Sequence, residues 1–139
     1  MIIKQIEIGY MDNFCYIVGC EVTRNAMVID PGADVESILA EAKKEALEIV
    51  TIVNTHTHGD HTAGNAKLQS LTGAKLIIHA LDVEGYPEAD ILLNDEETLQ
   101  VGEITYDIIH NYGPTPSSTL HWEKRNNVNA REYGYYVKD

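Results

Sequence analysis

Residues 55–61 read Thr55-His56-Thr57-His58-Gly59-Asp60-His61, gathering three of the chain's six histidines and an aspartate into seven positions. They follow, after Asn54, the short apolar run 49–53, which reads as a buried strand. A chain with this order must deliver a polar loop to the C-terminal end of a strand, which is where layered α/β folds place their sites. His56 and His58 are two apart, so in extended backbone both rings point to one side. Gly59 is expected to supply a turn closed to other residues, swinging Asp60 and His61 round to the same pocket. Imidazole and carboxylate together hold zinc or iron at neutral pH. The candidate metal ligands are therefore His56, His58, Asp60 and His61. A metal there would bring a bound water to a pKa of ~7. Asp60 would then ligate a second ion or act as the general base, and it is the candidate catalytic residue.

The flanking sequence alternates strands and helices. Residues 2–8 alternate apolar and polar side chains, 14–18 are β-rich, and 25–30 end on Pro31-Gly32, a strand stop. Asp34 is placed to cap a helix in which Val35, Ile38, Leu39, Ala42, Ala46 and Leu47 recur at helical spacing. A second helix is expected over 63–71, ended by Thr72-Gly73, followed by a strand over 74–79. Residues 81–99 are acidic and read as irregular. Further strands are expected over 104–109, over 119–123 and in the tail through Tyr133, Tyr135 and Val137, with a rigid turn at Gly113-Pro114-Thr115-Pro116. The pattern predicts an α/β fold with a mixed sheet. His79 ends its strand alone and reads as structural, while His110 and His121 stand isolated and carry no assigned role.

At 139 residues the chain has the size of one domain, taken here as 1–139. Ten basic against 22 acidic residues give a net charge of -12, which argues against nucleic acid as a partner. A small anionic substrate is still allowed, because a bound cation inverts the field locally. Cys15 and Cys20, the only cysteines, form no disulfide framework and no zinc knuckle, and Cys15 reads as a buried thiol. No run approaches the ~18 apolar residues of a membrane span, and the N-terminus does not read as a signal peptide. The expectation is a cytoplasmic protein with no membrane partner.

The order of motifs resembles the metallo-β-lactamase superfamily, in particular its glyoxalase II-like hydrolases. Asn13-Phe14-Cys15-Tyr16-Ile17-Val18 is similar to that family's early Asn-x-Tyr strand. Val28-Ile29-Asp30-Pro31-Gly32 is similar to its strand ending in Asp-Pro-Gly, and residues 55–65 match its metal loop. The resemblance implies an αββα sandwich, with His56 and His58 serving one metal and Asp60 and His61 another. It implies hydrolysis of a thioester or ester-type bond in a small-molecule substrate by metal-bound hydroxide. Zinc is the expected ion, with iron or manganese as alternatives.

Departures from the family pattern lie toward the C-terminus. Where the family carries His-Thr-Pro-Gly-His-Thr-Pro-Gly-Ser, this chain has His110-Asn111-Tyr112-Gly113-Pro114-Thr115-Pro116-Ser117-Ser118, so Pro114 replaces a ligand histidine. The family's bridging aspartate and final histidine are not visible before Asp139. The expectation is thus the N-terminal portion of the family fold, incomplete at the C-terminal side, with a reduced site holding one metal or holding it weakly. The alternative is a non-catalytic remnant that binds metal weakly or serves as an interaction module. Such a domain exposes an apolar sheet face or a free strand edge, which favours a homodimer. Size-exclusion chromatography with light scattering is expected to give a dimer mass at micromolar concentration; a clean monomer overturns that expectation.

Overall fold

A computed structural model describes residues 1–9 and 13–109. The alternating N-terminal run forms β1 (Ile2–Ile8), paired antiparallel with β2 (Asn13–Gly19) from Ile2↔Gly19 to Ile8↔Asn13. β3 (Asn25–Ile29) continues antiparallel to β2. From there the pairing becomes parallel through β4 (Glu48–Val53), β5 (Lys75–His79) and β6 (Ile91–Leu93). The six strands lie in chain order, giving the mixed sheet that the spacing of strands and helices implied. A two-stranded antiparallel sheet of β7 (Thr98–Val101) and β8 (Ile104–Asp107) follows.

Parallel pairing requires crossovers, and helices supply them. Asp34 caps α1 (Val35–Lys44) by accepting the Ser37 amide at 3.2 Å. Apolar spacing extends through Leu47, but the helix stops at Lys44, because Ala46 turns left-handed at φ 51°. The Arg24 guanidinium takes up the freed carbonyls of Glu45 and Ala46. Leu47 keeps its apolar identity because it packs on the core from the loop, against the bare Cα of Gly19. After β4 come α2 (Gly59–Thr62) and α3 (Asn65–Thr72), and Gly73 closes α3 at φ 72°.

Both longer helices lie on one face of the large sheet. Val35 and Ile38 of α1 and Leu68 of α3 pack with Ile17, Val28, Ile52 and Leu76, all fully buried. Each such side chain contributes about 1.5–3 kcal/mol by leaving water. The opposite face carries Val18 and Met27, covered by Val101 and Leu99 of β7 and Tyr106 of β8. Helix, sheet and second sheet thus form successive layers. β4 is covered on both sides, which is why its sequence runs apolar without strict alternation. Cys15 is fully buried, and burial pushes its thiol up to about 12, in keeping with an inert core residue. Among the described residues, no helix is long and apolar enough to cross a membrane.

Residues 81–99, read as irregular, contain a short 3-10 turn at Ala80–Asp82, β6 and the start of β7. β6 has three residues, too few to show a period. The strands expected at 119–123 and in the tail, the 113–116 turn, and His110, Pro114 and His121 lie outside the described residues.

One contact ties this scaffold to the loop that follows β4. A Cβ on Gly64 would sit 2.1 Å from the carbonyl oxygen of Gly32 and 2.9 Å from Val35 Cγ2. Gly64→Ala is therefore expected to destabilise the protein by at least about 1–3 kcal/mol through overpacking. Urea unfolding measures this, and an unchanged midpoint would show that the two turns are not in contact.

Candidate metal centre

The site is built where the turn after β3 meets the loop after β4. β3 is followed by Asp30, whose amide donates to Val53 O at 2.9 Å and whose φ is 51°, a left-handed conformation that aspartate tolerates better than most residues. Gly32, also left-handed at φ 52°, donates its amide to His61 O at 3.1 Å. The Asp30-Pro31-Gly32 turn thereby lies directly beneath the histidine loop.

Asp30 is 5% exposed and its carboxylate is heavily used. Oδ1 accepts the Thr55 amide at 2.8 Å and the Asn54 side-chain amide at 3.4 Å. Oδ2 accepts the Thr55 hydroxyl at 2.6 Å. The hydroxyl has one proton, and Asp30 takes it. Toward His56 Nδ1, 3.0 Å away, Thr55 Oγ1 can therefore only accept. His56 consequently carries its proton on Nδ1 and presents Nε2 as a free lone pair. Burial, and then the neighbouring His61, hold the His56 pKa below its ordinary value, so the ring stays neutral and available as a ligand.

His61 stands on the other side of Asp30. Its Nδ1 lies 3.2 Å from Asp30 Oδ2, within ion-pair reach, but this buried nitrogen has no hydrogen bond of acceptable geometry. Its Nε2 faces Asp60 Oδ2 at 3.5 Å. Ring centroids of His56 and His61 are 4.1 Å apart, and those of His56 and His58 are 4.6 Å apart, edge to face. Asp30, His56 and His61 each offer a donor atom within 4.8 Å of one another.

This arrangement fits a cation. Two ligand atoms about 2.1 Å from a tetrahedral ion are about 3.4 Å apart, close to the Asp60–His61 separation. A cation on His61 Nε2 would place the ring proton on Nδ1, on the side of the Asp30 carboxylate.

All four sequence-derived candidates thus meet at one end of β4, though not in equal roles. His56 and His61 are half-buried at the centre, whereas His58 and Asp60 are exposed at its rim. The His58 carbonyl caps α2, accepting the amides of His61 and Thr62 at 3.0 and 3.1 Å. Gly59 requires correction. It is not among the left-handed residues and has open space where a Cβ would lie, so the turn into Asp60 and His61 is an ordinary helical one. Asp60 is held below the usual carboxylate range, chiefly by a 2.7 Å hydrogen bond from the Asn13 side chain. Two residues of the site were read from sequence only as strand features: Asp30 and Asn13. The signal for Asp30 was an Asp-Pro-Gly strand end placed just before a helix. His79, read as structural, accepts the Leu81 amide on Nδ1 at 3.2 Å and so caps the turn after β5.

Residues 9–128 match the family model described as the metallo-beta-lactamase superfamily. The chain belongs to that superfamily. The family is metal-dependent, in agreement with the donors gathered here. A hydroxyacylglutathione hydrolase of Rhodospirillum rubrum is 33% identical over 80% of this chain and 43% of its own length. The crystal structure of ETHE1 from Myxococcus xanthus superposes with a TM-score of 0.70 at 26% identity, covering 77% of this chain and 47% of that one. TTHA1623, solved in a di-iron-bound form, gives a TM-score of 0.54 at 29% identity over 63% of this chain and 43% of its own. The chain spans less than half the length of each of these three superfamily relatives. The layered α/β architecture of the superfamily accounts for the sheet order and the site's position at the strand ends.

Thr55→Val keeps shape but removes the hydroxyl that links Asp30 to His56. It is expected to cost about 1–3 kcal/mol, because buried partners are left unsatisfied. Urea unfolding of the metal-free protein reads this, and a loss below a few tenths would remove Thr55 from the centre.

Proposed function

We propose that this chain holds one divalent metal ion through His56, Asp60 and His61, and that it hydrolyses an ester- or thioester-type bond of a small molecule. The observation carrying this reading is the 3.5 Å approach of Asp60 Oδ2 to His61 Nε2, together with donor atoms of His56 and His61 that lie within 4.8 Å of one another. Asp30 supports the histidines rather than binding the ion, because its oxygens already accept three hydrogen bonds and face His61 Nδ1. His58, at the rim, is the further donor of the same loop.

A bound ion supplies a water acidified toward neutrality and a positive charge for the oxyanion that develops at the substrate carbonyl. The chain's own residues do the rest. Thr55 fixes the His56 tautomer, Asp30 holds the Thr55 hydroxyl in place, and its carboxylate faces His61 Nδ1. Asp60 stays charged at neutral pH; it balances the ion and offers a base beside the reacting centre. Three protein donors with one position left open is the arrangement of catalytic zinc. Zinc is our reading for the ion, and the di-iron form of TTHA1623 makes iron the principal alternative. The name of the Rhodospirillum rubrum relative favours an acyl-glutathione thioester as substrate.

A second reading, metal binding without turnover, is favoured by Pro114 standing where the family carries a ligand histidine. Metal content after purification, read beside thioester hydrolysis, separates the two. We expect about one ion per chain, with hydrolysis abolished by chelator and restored by zinc or iron. Metal without turnover establishes the second reading. Neither metal nor turnover rejects both.

A further inference from the structure

Asp60 is the most exposed charged group of the centre, with 37% of its side-chain surface open to water. A carboxylate so placed samples several rotamers unless something holds it. Among the described residues, besides Asp60's own backbone amide, the donor on it is Asn13 Nδ2, at 2.7 Å from Oδ2. That is the same oxygen that faces His61 Nε2.

Asn13 is 47 positions away in sequence and comes from a different part of the fold. It opens β2 as the register partner of Ile8, which is 2% exposed. Ile8 in turn packs on Gly32: a Cβ there would lie 2.3 Å from Ile8 Cδ1 and 3.1 Å from Asp60 O. The backbone under Asn13 is therefore fixed by the core and by the same turn that underlies the loop. The amide it presents is neutral, so it orders the carboxylate without repelling a cation, as lysine or arginine would. A carboxylate oxygen that accepts one N–H keeps a second lone pair for an ion.

We propose that Asn13 is a positioning residue of the metal centre, holding the Asp60 carboxylate with Oδ2 turned toward His61 and so setting the affinity of that side for a divalent cation. This rests on the reading of Asp60 and His61 as ligands given above. It assigns to β2, outside the histidine motif, a share in the strength of metal binding.

The test uses the full chain with zinc, its affinity read by chelator competition, in wild type, Asn13→Ala, Asp60→Ala and the double variant. Asn13→Ala is expected to bind zinc 10–100-fold more weakly, the range found for groups that orient ligands. On the Asp60→Ala background it should have no further effect, because it acts through Asp60. Urea unfolding of metal-free Asn13→Ala should match wild type. If that variant fails to fold, the Asn13 side-chain amide resonances of metal-free wild type decide: they should move when Asp60 is replaced by alanine, and fixed resonances overturn the proposal. Wild-type affinity in Asn13→Ala, or an additive loss in the double variant, also overturns it and leaves the metal reading standing. Wild-type affinity in Asp60→Ala, or no zinc binding by wild type, overturns the ligand assignment and this inference with it.

Discussion

The centre depends on how the buried carboxylate of Asp30 is satisfied. A carboxylate removed from water is costly unless each oxygen finds donors, and here they come from one short stretch: the Thr55 amide, the Thr55 hydroxyl and the Asn54 side chain. Satisfying Asp30 therefore fixes the backbone just before the first histidine. The left-handed conformation of Asp30 makes this possible, because it turns the chain out of β3 while its amide still reaches Val53 O across the parallel pair. Sheet register and site geometry are set by the same residue.

Burial also separates the two aspartates by role. Asp30, 5% exposed, spends its carboxylate on three hydrogen bonds from the loop that carries the histidines. Asp60, at the rim, keeps capacity for a cation. Proximity groups Asp30 with His56 and His61, while Asp60 approaches His61 alone, at 3.5 Å. The buried amides extend this logic inward. Asn65, fully buried at the start of α3, donates to Asn54 Oδ1 at 2.7 Å, and Asn54 donates to both Asp30 Oδ1 and His61 O. Helix, strand end and metal loop thus share one polar chain inside an apolar layer, where breaking any link strands its neighbour.

Much of this was legible in the sequence where periodicity or cap chemistry dominates. The strands read at 2–8, 14–18 and 49–53, the Asp34 cap and the Gly73 stop all follow from local physics, and the HxHxDH loop announced its own chemistry. Misreadings occurred where tertiary contacts override local signals. Ala46 and Leu47 continue a helical spacing, yet Ala46 turns left-handed, and Arg24, more than twenty residues earlier, holds the Glu45 and Ala46 carbonyls just past the helix. Gly59 suggested a special turn, but the loop is an ordinary helical turn capped by a carbonyl. Asp30 and Asn13 could not be assigned to the site from spacing, because only the sheet register brings them under and beside it.

These anchors act on the loop from opposite environments, and the difference has consequences. The histidine side is fixed from below through the buried Asp30 carboxylate and the buried Asn54 side chain, so its backbone geometry is established by folding. The carboxylate side is fixed laterally, beyond Asp60's own backbone amide, by the Asn13 side chain at the surface, where water competes for every hydrogen bond. Folding alone therefore preorganises His56 and His61, while the disposition of Asp60 depends on the end of the β1–β2 pair. On the proposed ligand set, replacement of rim residues would tune metal affinity without endangering the fold, whereas the same change at the buried Asp30 would disturb both.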